Sequence, residues 1–121
     1  MKFMYLIYED RELGATLPKP QIEQAMREYQ AFENDLKQTG HWVAGSMLDT
    51  KTTKTIQGHN GSASTKDGPF VQSREQVGGF YLVEAKDLNE AVKLAQRIPS
   101  AKWGAVEVKA VEPEGRPARF D

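Results

Sequence analysis

An α+β domain of the βαββαβ kind is what the hydrophobic pattern of this 121-residue chain predicts. Three observations carry it. Strand-length apolar or alternating runs recur along the chain, and two segments between them switch to three- and four-residue spacing. An Asn-Gly pair also sits between two short polar arms, the pattern of a hairpin turn.

Taken in order, residues 3–8 are an almost unbroken apolar run bounded by Glu9, Asp10 and Arg11, and so predict a strand buried on both faces. Residues 13–20 contain Gly14, Pro18 and Pro20 and are expected to be a connection. From Gln21, the side chains Ile22, Ala25, Met26, Tyr29, Phe32 and Leu36 form one apolar helical stripe. Pro20 suits its first turn and Gly40 its end. Residues 41–48 predict a second strand, with Gly45 a possible bulge. Asn60-Gly61 predicts a projecting hairpin whose arms are polar on both faces.

Residues 78–85 predict the third main strand, and Asp87-Leu88-Asn89-Glu90 has the form of a capping box. Leu88, Ala91, Val92, Ala95 and Ile98 give the second helix its stripe, with Pro99 as its stop. Residues 103–111 alternate apolar and charged, as a half-exposed strand does. The order is that of a ferredoxin-like sheet with an inserted hairpin. Residues 1–112 make one domain and residues 113–121 a polar tail. Both alternating sets of the first and third main strands are largely apolar, so the helix-free face needs a cover. A second copy packed sheet to sheet supplies it, which predicts a homodimer.

Composition excludes several classes. There is no cysteine, hence no disulfide, thiolate metal site or cysteine nucleophile. A net charge of −1 gives no basic footprint for nucleic acid or an anionic membrane. No run reaches the roughly 20 apolar residues that span a bilayer, and the N-terminus lacks signal-peptide form. The expectation is a cytoplasmic protein with no cofactor. The two histidines, His41 and His59, are far apart, so no local metal motif exists. Gly78-Gly79 precedes a strand, unlike a phosphate loop, and fits either strand packing or close approach of a ligand.

The residues "DGPF" at 67–70 and "REQVGGFYLV" at 74–83 resemble the signature of the YCII-related family in its DGPF branch. "KFMYLIYED", "VAGSML" and "RIPSAKWGAVEVKAV" extend the resemblance over roughly residues 2–111. It implies a dimeric α+β barrel. Some members of that family carry a His–Asp pair for which enzymatic roles have been proposed. Proteins of the branch are also associated with extracytoplasmic-function sigma factors. Carried over by position, the aspartate falls on Asp67 and the histidine position on Tyr29. A phenol with an ordinary pKa near 10 is no base at neutral pH, although it can donate a hydrogen bond.

The candidate catalytic pair is thus Asp67 with Tyr29, in a small-molecule pocket between the sheet, the first helix and the hairpin. Arg74, Glu75, Tyr81 and His41 are candidate ligand contacts, and no metal site is expected. Asp67 equally suits a turn former, Tyr29 a core aromatic, and Arg74 with Glu75 a solvated charge pair. An accessory dimer contacting a sigma factor through hairpin and tail is the alternative function.

Overall fold

A computed structural model describes residues 1–113. It shows a mixed α+β fold with antiparallel sheets and three helices. The elements are β1 (Lys2–Asp10), α1 (Arg11–Ala15), α2 (Lys19–Gln38), β2 (Trp42–Met47), β3 (Lys54–His59), β4 (Ser62–Asp67), β5 (Glu75–Glu84), α3 (Leu88–Ala95), a 3-10 turn (Pro99–Lys102) and β6 (Ala105–Ala110). The main sheet runs β2-β5-β1-β6 with every neighbour antiparallel, which is the strand order of a ferredoxin-like sheet. Strands β3 and β4 pair separately around Asn60 and Gly61, whose φ values of 49° and 83° are those of a two-residue hairpin turn.

The alternation along β1 decides which face is core. Phe3, Tyr5 and Ile7 are fully buried and pack with Phe32 and Leu36 of α2, Ala91 and Ala95 of α3, and Tyr81 and Val83 of β5. Each such side chain contributes on the order of 2 kcal/mol through removal from water. The Tyr5 hydroxyl donates to the Ala91 carbonyl at 2.6 Å, tying β1 to α3. Burial, with the nearby Glu90 carboxylate second, pushes its pKa up to about 12. On the opposite face Met4, Leu6, Tyr8, Phe80 and Leu82 are only half-buried.

Helix α2 ends as its sequence suggests. Gly40 takes φ 79°, the His41 N–H donates to Leu36 O at 2.9 Å, and the Gly40 N–H donates to Lys37 O at 3.4 Å. This is a Schellman closure that needs a residue free to adopt a left-handed backbone.

Four boundaries differ from expectation. Residues 11–15 form a helix, not connection, because the Asp10 carboxylate accepts the Glu12 and Leu13 N–H groups at 2.9 and 3.2 Å. Strand β5 starts at Glu75, so Glu75 lies in the ladder opposite Asp10 rather than in a loop. The bulge in β2 falls at Val43, between the pairs Trp42–Val83 and Ala44–Leu82, not at Gly45. Gly45 lets Tyr81 approach instead, since a Cβ there would lie 2.4 Å from the Tyr81 ring. Pro99 not only ends the helical region but opens a 3-10 turn that buries Ser100. Most of the expected polar tail lies outside the described residues.

Candidate functional site

A cavity of about 620 Å³ opens between the end of β1, α1 and the first half of α2. Its walls are apolar, among them Leu13, Ile22, Met26, Met47 and Trp103, all substantially exposed to the cavity and solvent. At one end lies a polar floor made by residues from four elements.

Glu9 reaches that floor by strand parity. It follows Phe3, Tyr5 and Ile7 on the helix-facing side of β1, one step beyond the core. Opposite it, β5 carries a bulge: Ile7 pairs with Gly79 and Tyr8 with Val77, leaving Gly78 as the extra residue. A Cβ on Gly78 would lie 2.8 Å from Glu9 Oε2, so the carboxylate occupies space that only glycine leaves. Ser100 Oγ donates to Glu9 Oε1 at 3.4 Å, and Tyr29 Oη is hydrogen-bonded to Ser100 Oγ. Ser100 itself is 1% exposed. It is fixed by its turn, where the Gly104 N–H donates to Ser100 O at 2.7 Å. Gly104 packs so tightly that a Cβ would meet the Tyr8 carbonyl oxygen at 2.4 Å.

One helical turn beyond Tyr29, Glu33 also lines the cavity and accepts the Tyr81 hydroxyl at 2.8 Å. Burial raises the pKa of the Tyr29 phenol, a rise the Ser100 hydrogen bond partly offsets. Tyr81 is raised further, by burial and then by Glu33. Both phenols therefore stay neutral over the whole physiological range, and Tyr81 donates its proton to Glu33.

The sequence-derived residues divide between this cavity and the rest of the fold. Tyr29 lines it. Tyr81 is a core residue, edge-on to Phe32 and Trp42 at 5.7 and 5.8 Å between ring centroids, and reaches the floor only through Glu33. Arg74 pairs with Asp10 Oδ2 at 3.0 Å and Glu12 Oε2 at 3.3 Å, which fastens α1 to the start of β5 behind the cavity wall. The Glu75 carboxylate accepts from Ser73 Oγ at 3.2 Å. His41 bridges Thr39 Oγ1 (2.7 Å) and Glu90 Oε1 (3.2 Å), linking the end of α2 to the start of α3. There the Lys86 N–H, and secondarily His41, hold the Glu90 carboxyl below its usual range.

Asp67 stands at the foot of the hairpin. Its side chain is 88% exposed and pairs with Lys54 Nζ at 2.6 Å. Within one chain the structure does not bring Asp67 and Tyr29 into one cavity. A second cavity, also about 620 Å³, lies between the hairpin base and β5, lined by Thr50, Thr53, Thr55, Phe70 and Gln76. Two of its threonine hydroxyls are committed within the protein, Thr53 to Thr50 O in a local turn and Thr55 to Gly68 O across the foot of the hairpin.

The residues missed at the sequence level are Glu9, Glu33 and Ser100. Two had a signal. Glu9 shares the odd parity of the buried β1 residues, and Glu33 falls one turn after Tyr29. Ser100 had none, since only the fold carries its turn against α2. Among the described residues, no group of three or more His, Asp or Glu side chains is arranged to hold a metal ion. Among them, too, no helix is long and apolar enough to cross a membrane.

The solved structure of 5-chloro-2-hydroxyhydroquinone dehydrochlorinase from Burkholderia phenoliruptrix AC1100, in complex with 2,5-dihydroxybenzoquinone, aligns over 93% of this chain and 94% of its own. That likeness is at 15% identity and a TM-score of 0.48. An uncharacterised protein of Rhizobium meliloti is 28% identical over 112 residues, covering 90% of each chain. The YCII-related domain matches residues 1–114, so the chain belongs to the YCII-related family.

Proposed function

We propose that this protein binds a small molecule in the cavity between β1, α1 and α2, as a cytoplasmic homodimer of the DGPF branch. The observation that carries this reading is the cavity itself. It joins apolar walls of ligand-sized volume to a floor where Tyr29, Ser100 and Glu9 are linked by hydrogen bonds. The "DGPF" residues at 67–70 support the branch. The half-buried face of Met4, Leu6, Phe80 and Leu82 supports the dimer, because a second sheet would remove that surface from water.

If the bound molecule is transformed, proton transfer is the chemistry the floor supports, and two carboxylates compete for it. Asp67, the residue implied by family resemblance, requires the hairpin of a second copy to reach a cavity. Glu9 requires no partner and is already joined to a buried hydroxyl pair, so we favour Glu9.

The reading is tested by a thermal-shift screen of a metabolite panel on wild type, Ala25→Trp and Asp67→Asn. Ala25 lines the cavity, and an indole there obstructs it. Ligands that stabilise wild type and Asp67→Asn but not Ala25→Trp support this cavity. Ligands lost only in Asp67→Asn return the site to the hairpin, and a silent panel removes the small-molecule reading.

The second reading is an accessory dimer that contacts an extracytoplasmic-function sigma factor. It is favoured by the apolar side chains around the hairpin, with Ile56 74%, Phe70 62% and Val71 63% exposed. Under it, Ile56→Asp abolishes partner binding and leaves every ligand shift in place.

A further inference from the structure

The hydrogen-bond directions on the cavity floor specify the headgroup of the molecule it takes. Ser100 Oγ donates to Glu9 Oε1 at 3.4 Å and also shares a hydrogen bond with Tyr29 Oη, in which either hydroxyl can be the donor. Tyr81 gives its proton to Glu33. Hydroxyl groups of the protein thus reach one oxygen of each floor carboxylate. What remains directed at the cavity are the other carboxylate lone pairs of Glu9 and Glu33. Neither Glu9 nor Glu33 forms an ion pair among the described residues.

The third cavity carboxylate, Asp10, is already satisfied by Arg74 and by the α1 N–H groups. The lining also carries donors. Arg11, the one cationic side chain there among the described residues, has its Nε committed to Thr50 Oγ1 at 2.6 Å. Gln30 and Trp103, also on the lining, are exposed.

An anionic headgroup would face two carboxylates of like charge in a partly desolvated site, which is strongly unfavourable, and a neutral acceptor would offer them no proton. A headgroup with several N–H donors and a positive charge satisfies both, and charge-assisted hydrogen bonds are the strong ones. We infer that the cavity binds a cationic primary amine carried on an apolar, aromatic-sized body, with the ammonium between Glu9 and Glu33 and the body against Leu13, Met26 and Trp103. This inference rests on the small-molecule reading above and narrows it to one ligand class.

The test is calorimetric titration of the whole protein with three probes sharing one body: tryptamine, tryptophol and indoleacetate. Tryptamine is expected to bind at least about tenfold more tightly than tryptophol, with indoleacetate weakest; tenfold corresponds to about 1.4 kcal/mol. Glu9→Gln and Glu33→Gln keep the shape of the floor and should each bring the amine's affinity down towards that of the alcohol. Equal or tighter binding of the alcohol or the carboxylate overturns the amine assignment while leaving a small-molecule site in place. Failure of all three probes also overturns it, and the metabolite panel then decides separately whether the cavity binds anything. An amine preference that survives both Gln variants places the ammonium elsewhere and overturns the assignment as well.

Discussion

Alanine at position 78 separates the fold from the floor of the cavity. The glycine does not sit in the left-handed region, so an L side chain is compatible with its backbone. The new methyl would lie 2.8 Å from Glu9 Oε2 and 3.1 Å from Cδ, against an ordinary contact of 3.4–4 Å. The carboxylate must therefore retreat by roughly 0.5 Å or more, the shortfall from van der Waals contact. Its hydrogen bond from Ser100 is already long at 3.4 Å and should break. Losing such a bond costs about 1 kcal/mol. Replacing glycine at a compatible position returns about 0.4–1 kcal/mol by restricting the unfolded chain. The two nearly offset, so the melting temperature should stay within about 4 °C of wild type.

Affinity for tryptamine should nevertheless fall about tenfold or more, since misplacement of a charged contact is felt in full at the ligand. Differential scanning calorimetry and titration calorimetry read the two quantities. A drop in melting temperature of more than about 10 °C would refute the reasoning by making Gly78 a backbone requirement. Unchanged affinity in a folded variant would refute it from the other side, since Glu9 would then not be the contact.

Gly104→Ala should behave oppositely. Its Cβ meets a backbone carbonyl at 2.4 Å that cannot swing away, so a loss of about 2–4 kcal/mol in urea unfolding is expected. Tyr5→Phe removes a group whose folded pKa is raised to about 12, above the unfolded value near 10. The unfolded state gives up that proton first, so wild-type stability is full below pH ~10 and falls by about 1.4 kcal/mol per unit up to pH ~12. The gap between wild type and Tyr5→Phe should accordingly narrow over that window in pH-dependent urea melts, and a constant gap would show that Tyr5 is not the titrating group. Leu82→Lys puts a charge on the half-buried sheet face, and if the proposed homodimer forms there, sedimentation should show wild type as dimer and the variant as monomer.

How legible each part was follows from the range of the interactions that fix it. The period of hydrophobic residues reports local geometry, and it placed the long helix, α3 and all four strands of the main sheet. Gly40, Asn60 and Gly61 were readable because a positive φ is a single-residue requirement. Helix α1 was not, because one carboxylate, Asp10, stabilises a turn that glycine and prolines nearby argue against. Asp67 lies in the stretch that is densest in sequence, and the structure places it at a hairpin foot, where Lys54, thirteen residues away, is its cross-strand partner.

The cavity floor depends on pairings that no local pattern encodes. Ser100 meets Glu9 across ninety-one residues and Tyr29 across seventy-one. Of the floor residues only Glu9 lies on a strand whose facing could be counted, and the count is decisive. An acid at the fourth position of the series Phe3, Tyr5, Ile7, Glu9 must point to the core side. A carboxylate sent there needs either a buried counter-charge or a cavity. No cation lies within ion-pair distance of Glu9 among the described residues, and the cavity is present. The break in polarity along one strand is therefore the signal in the sequence that points to this cavity.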